Sequence, residues 1–142
     1  MIERKKIKEC RASDDLLKEI KKTASGLYYI SETDSEILPF AGGKAEAVTK
    51  ETIILQTKSA SNARVEERNF EEFFSSLTKI QDWFGDEEKK SARKFSALKQ
   101  LLQEKLKDLK VFKIGEIEVD IYAVGIDSEG FLKGIKTKSV ET

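Results

Sequence analysis

Apolar residues recur along the chain in two rhythms, and the helical one comes first. Leu16, Leu17, Ile20 and Ala24 step at helical spacing, with Ser13 ahead of them as an N-cap, Asp14 and Asp15 in the first turn and Gly26 as the residue that ends the helix. Thr49–Thr57 predicts a short helix built on Ile53 and Ile54. Asn69 can cap a helix carrying Phe70, Phe73, Phe74 and Leu77 at i, i+3, i+4 and i+7. The longest stripe, Ala92, Phe95, Leu98, Leu102, Leu106 and Leu109, predicts a helix over about 86–109. Asp86, Glu87 and Glu88 open that helix and Lys105 and Lys107 stand near its end, the order that complements the helix dipole.

The second rhythm is that of strands. Leu27-Tyr28-Tyr29-Ile30 suits a short buried strand, followed by an acidic loop, Ser31–Glu36. Ile37-Leu38-Pro39-Phe40 predicts a second strand, with the only proline near its edge and Ala41-Gly42-Gly43 breaking it. Thr57–Ala63 reads as a polar loop, Arg64–Glu67 as a weak strand and Ile80–Asp86 as a loop. Val111–Ile114 is a strand ending at Gly115. Ile117, Val119, Ile121 and Ala123 then alternate with Glu116, Glu118, Asp120 and Tyr122, a period of two with one buried face. Asp127-Ser128-Glu129-Gly130 is a turn, and Phe131–Val140 a final strand. Helices that flank a late, largely antiparallel sheet predict the α+β class, as a three-layer α/β/α sandwich. Residues 1–12 have little periodicity and read as a flexible extension to a single domain over 13–142.

Composition narrows the chemistry. With 142 residues the chain suits one domain, and eight Phe, three Tyr and one Trp supply core anchors despite 37% charged residues. Twenty-six basic and 26 acidic residues cancel, which argues against a polycation that coats nucleic acid. The absence of His removes imidazole bases, Ser-His-Asp triads and His-ligated zinc. The single Cys10 has no internal disulfide partner. No apolar run approaches the roughly 20 residues of a membrane span, and the charged start Met1-Ile2-Glu3-Arg4-Lys5-Lys6 is unlike an export signal, so a cytoplasmic protein is expected.

Charge is balanced globally but not locally. Residues 66–88 hold eight acids against Arg68 and Lys79, whereas residues 89–113 hold nine basic groups against Glu104 and Asp108. The bland reading of these blocks is solvated helix faces. The alternative is that the acidic segments form a face that meets a basic partner.

Few residues carry obvious chemistry. Glu116, Glu118 and Asp120 could line one strand face and bind a hard cation, but such a ladder is more often the wet face of an antiparallel strand. Gly42-Gly43 lacks the context of a phosphate loop. Trp83 lies in a polar loop, where a tryptophan is either a core plug or an interface anchor. At the other extreme, the Glu141 side chain, the Thr142 hydroxyl and the terminal carboxylate are hard oxygen donors of the kind Mg²⁺ accepts.

Several segments resemble the nuclease A inhibitor family. They are Ser25-Gly26-Leu27-Tyr28-Tyr29-Ile30-Ser31-Glu32, Pro39-Phe40, Leu55-Gln56-Thr57, Phe70 with Phe73-Phe74, Gln81-Asp82-Trp83, the stretch Val111–Tyr122, and Gly134-Ile135-Lys136-Thr137-Lys138-Ser139-Val140-Glu141-Thr142. The resemblance covers about 13–142, and the chain departs from the family pattern at Ala41-Gly42-Gly43-Lys44 and Glu66-Glu67-Arg68. It implies a sandwich akin to the plant pathogenesis-related PR-1 domains and a non-enzymatic inhibitor of a non-specific, metal-dependent DNA/RNA endonuclease. It further implies that Thr142, with Glu141 beside it, reaches the nuclease's Mg²⁺, that Glu32 meets an active-site Arg, and that Gln81, Asp82 and Trp83 lie at the interface. The Mg²⁺ would be the partner's, with no cofactor, direct nucleic-acid contact or membrane contact of this protein's own, and the free protein is expected to be a monomer. A protein-interaction domain of the same fold with an unrelated partner is the competing expectation.

Overall fold

The computed structural model describes residues 16–30, 34–57, 64–79 and 83–140, which together form a mixed α+β fold. The expected extension at 1–12 with its Cys10, the Ser13 cap and most of the polar loop, 58–63, lie outside the described residues.

A helix over residues 16–24 (α1) leads into a two-stranded ribbon, β1 (Tyr28–Ile30) and β2 (Asp34–Glu36). There follow β3 (Leu38–Lys44), α2 (Lys50–Gln56), β4 (Val65–Arg68), α3 (Phe70–Thr78), α4 (Asp86–Lys105), β5 (Lys107–Ile114), β6 (Glu118–Ile126) and β7 (Phe131–Val140). The five-stranded sheet has the order β3-β7-β6-β5-β4, and every strand pairing among the described residues is antiparallel.

Alternation along the strands gives this sheet two apolar faces. Val111, Val119, Ile121, Ala123 and Ile135 pack with Ile20, Phe74, Phe95, Leu98 and Leu102 from α1, α3 and α4. On the opposite face Phe112, Ile114, Val124 and Leu132 pack with Val48 and with Ile53 of α2. A helix stripe can bury only one side, so the chain divides its helices between the two faces.

The capping residues behave as their chemistry dictates. The Asn69 side chain accepts from the Glu72 N–H at 3.1 Å and the Thr49 side chain from the Thr52 N–H at 3.1 Å, each satisfying an orphan donor of the first turn.

Several expectations need correction. The acidic segment after Ile30 is not all loop, because Asp34–Glu36 forms β2 and pairs with β1. That ribbon also alters the reading of Leu27–Ile30 as a buried strand: Leu27 is buried, but Tyr28 is half exposed. Gly42 and Gly43 do not end β3, which runs on to Lys44, but the pairing with β7 is broken there by a register shift between Ala41 and Lys44. The side chain of Gln56 lies against this edge strand, accepting from the Gly43 N–H at 2.7 Å and donating to the Lys44 carbonyl at 3.0 Å. A Cβ on Gly42 would stand 2.3 Å from Gln56 Oε1 and 3.2 Å from Leu132 Cβ, so a larger residue here would push the Gln56 side chain off this edge. Replacing Gln56 by Ala should therefore cost about 1 kcal/mol in urea unfolding, the worth of exposed hydrogen bonds to backbone.

The last helix also ends sooner than its stripe implies. Leu106 is already extended (φ −124°, ψ 148°), and β5 starts at Lys107. Leu109 continues the apolar spacing because it packs on the same core from a strand. Asp108 takes a positive φ of 56°, and its carboxylate accepts from the Val48 N–H at 2.9 Å while Lys110 Nζ donates to the Val48 carbonyl at 2.9 Å. Two β5 side chains thus clasp the peptide that precedes α2. Finally, Ile117 is not on the buried face of β6: it precedes the strand and is exposed.

Candidate protein-interaction site

Two of the longest-range contacts in the chain assemble one end of the molecule. The Thr137 hydroxyl of β7 reaches the carbonyls of Ser35 at 3.3 Å and Glu36 at 3.1 Å, tying the β1–β2 ribbon to the last strand. On its other side the ribbon borders a groove of about 440 Å³ whose walls include Tyr28, Asp34, Lys79 and Phe84, together with Glu87 and Glu88 from the first turn of α4. The ribbon therefore stands between the start of α4 and the far end of β7.

The acids at this end come from two segments, 34–36 and 86–88. Asp34, Glu36, Asp86, Glu87 and Glu88 are all exposed, so their charges are displayed to solvent. Asp34, from the segment expected to be an acidic loop, shares the groove with Glu87 and Glu88 of the acidic block 66–88.

Trp83 immediately precedes this groove. It is 75% exposed, the largest apolar side chain so displayed among the described residues, and its one aromatic neighbour there is Phe84, edge-on at 4.7 Å between ring centroids. A tryptophan in this state buries little on folding and has most of its area left to offer. The core-plug alternative for Trp83 is thereby ruled out. Glu32, Gln81, Asp82, Glu141 and Thr142 lie outside the described residues, although residues bonded near them are described: Ile30 and Asp34, Trp83, and Val140 opposite Glu118 in the sheet.

Sequence reasoning did not single out Tyr28 or Phe84. Tyr28 was hidden in an apolar run whose period-two alternation turns one tyrosine out and stacks the other, Tyr29, on Phe73 at 5.8 Å. In the carboxylate ladder Asp120 faces Lys138 in the sheet register, and among the described residues no three acid or thiol side chains stand close enough together to hold a metal ion. Burial, reinforced by Asp120, raises the Tyr122 phenol above its ordinary value. On α3 the exposed Glu71 carboxyl is lowered, chiefly by its hydrogen bond from Lys99, at 2.7 Å. No helix among the described residues is long and apolar enough to cross a membrane.

An exposed tryptophan beside an acid-rimmed groove, at the end of the molecule toward which β7 runs, suits contact with a basic protein surface. No curated protein matches the chain. The profile of the nuclease A inhibitor-like proteins matches residues 14–142, nearly the whole sequence, and the chain belongs to that family.

Proposed function

We propose that this protein inhibits a non-specific, metal-dependent DNA/RNA endonuclease by filling its active site. A nuclease of that kind must hold a basic groove and a hard cation for its phosphodiester substrate. An acidic surface with an oxygen donor at its margin imitates that substrate and has no bond to cleave. In this reading Thr142 lends an oxygen to the nuclease's Mg²⁺ with Glu141 beside it, Glu32 pairs with an active-site Arg, and Gln81, Asp82 and Trp83 form the apolar and polar contact around them. The protein itself is non-enzymatic, monomeric and cytoplasmic, without a cofactor, and does not bind nucleic acid. Residues 13–142 form the inhibitor domain and 1–12 an extension. We read the helices on both faces of the sheet as a three-layer sandwich of the PR-1 kind.

The observation that supports this reading best is the convergence of exposed Trp83 with the acidic groove, in a chain of this family. The test is titration of a purified Mg²⁺-dependent non-specific endonuclease, with DNA cleavage as readout. Cleavage should vanish near one inhibitor per nuclease. Deleting Thr142 should weaken binding by about 2 kcal/mol, roughly thirty-fold, the worth of a charge-assisted contact. Chelation of Mg²⁺, with binding followed by calorimetry because cleavage then stops, should weaken the intact inhibitor and leave the truncated one unchanged. Equal affinities for the two forms would eliminate the metal bridge. Failure to bind any such nuclease, with some other complex surviving EDTA, would instead favour an interaction domain with an unrelated partner.

A further inference from the structure

The groove beside Trp83 has an apolar floor and an acidic mouth, and that combination selects its occupant. The floor is made by Ala92 and Phe95 of α4, both buried, and by the half-buried ring of Phe84. At the mouth stand the carboxylates of Asp34, Glu87 and Glu88, all exposed, against the single ammonium of Lys79. None of the three acids is within ion-pair distance of a cation among the described residues. At about 440 Å³ the groove is in the size range that holds a ligand of several side chains.

A purely apolar occupant would strip water from three carboxylates without replacing it, which is costly. A phosphate or an acidic peptide would be repelled. A side chain with a long aliphatic stem and a cationic tip satisfies both parts at once, since the stem covers the floor and the tip meets the mouth. Guanidinium fits better than ammonium because it is planar, lies flat on aromatic rings such as Phe84 and Tyr28, and binds carboxylates in bidentate fashion. The geometry points to this groove as a receptor for an arginine on a basic loop of the protein partner. This contact is additional to the one assigned to Glu32, and it rests on the inhibitor reading above for the identity of that partner.

The experiment uses the full chain and a purified Mg²⁺-dependent non-specific endonuclease, with affinity measured by calorimetry. The variants are Asp34→Lys and the double change Glu87→Lys with Glu88→Lys. The control is Glu46→Lys with Glu51→Lys, two exposed acids in and just before α2, which packs on the opposite face of the sheet. Groove variants should lose at least about tenfold in affinity, with a shallower salt dependence, and the control should stay within about twofold. Arginine-to-alanine changes on the nuclease should include one whose loss is not additive with Glu88→Gln. Thermal melts that match wild type exclude misfolding as the cause. Wild-type binding with unaltered groove variants would overturn the arginine receptor and leave the inhibitor reading standing. Absence of wild-type binding would remove the inhibitor reading and this inference with it. Self-association abolished by the groove variants would also overturn it, because a second copy's basic α4 surface would then be the occupant.

Discussion

Replacing Asp127 by Asn should lower the unfolding free energy by about 3–5 kcal/mol, the cost of leaving one member of a buried ion pair alone. Asp127 sits where β6 turns into β7, and its carboxylate is the hub of that turn. It accepts from the N–H groups of Glu129 and Phe131, both at 2.9 Å, and from Lys133 Nζ at 2.5 Å. Side-chain exposures of 4% for Lys133 and 6% for Asp127 leave little water to compensate either charge. The Lys133 ammonium also lies 5.5 Å from the Phe131 ring centre, a weaker contact that cannot replace an anion. Asparagine keeps an acceptor for the backbone but strands the ammonium. Adding Lys133→Met to the Asn variant should recover much of the loss, since replacing both partners by less polar groups is often close to neutral. Urea unfolding of the two single variants and the double variant measures this directly.

The same carboxylate sets an acid limit. Burial tends to raise the Asp127 carboxyl, but the hydrogen bond from Lys133, the two backbone donors and the ammonium charge outweigh it and hold the group below its ordinary 3.8. The unfolded chain therefore takes up this proton at a higher pH than the folded one. The associated stability is complete above the ordinary value and is lost as pH falls through the lower folded one. Unfolding free energy should thus decline below about pH 4 in the wild type. It should decline less in the Asn variant, and identical slopes would refute the assignment.

This pair marks one boundary of what the sequence makes legible. Asp127 reads as a turn residue and Lys133 as one lysine among many; only the antiparallel return of β7 brings positions six apart into contact inside the protein. Strong local signals hold in the folded chain: the Asn69 cap, the short helix on Ile53 and Ile54, the Phe70–Leu77 stripe and the bounds of β7 each depend on neighbours in sequence. Local pattern misleads where long-range contacts take over. Asp34-Ser35-Glu36 has no apolar residue to announce a strand, and it is one because β1 supplies backbone partners and Thr137 reaches its carbonyls. Gly42 and Gly43 carry turn chemistry and do shift the register with β7, yet β3 continues past them with Gln56 bonded to the Gly43 N–H. The stripe through Leu106 and Leu109 crosses a junction made tight by Gly125, where a Cβ would stand 2.8 Å from the Lys107 carbonyl oxygen. At the interaction site, acidity is readable from composition along the chain. The groove is not, because its walls come from four separate segments.

Replacing Trp83 by Ala should separate folding from function more sharply than any other single change. The side chain is mostly in solvent, so truncation removes little buried area, and thermal stability should change by no more than about 0.5 kcal/mol. In the complex the same ring would be the large apolar anchor among carboxylates that are individually poor sources of affinity. Loss of such an anchor typically weakens an interface by about 2–4 kcal/mol, which would raise the inhibitor concentration needed to block cleavage by roughly 30- to 1,000-fold. Phe84 provides an internal comparison. It is half buried against Trp83 and forms a groove wall, so Phe84→Ala should cost both stability and affinity. Paired melts and inhibition titrations on the two variants discriminate three cases. Affinity lost with stability intact supports the anchor. Stability lost in proportion would make Trp83 a packing residue after all. Inhibition unchanged at full stability would move the contact surface away from this end of the protein, and the proposed mode of inhibition would go with it.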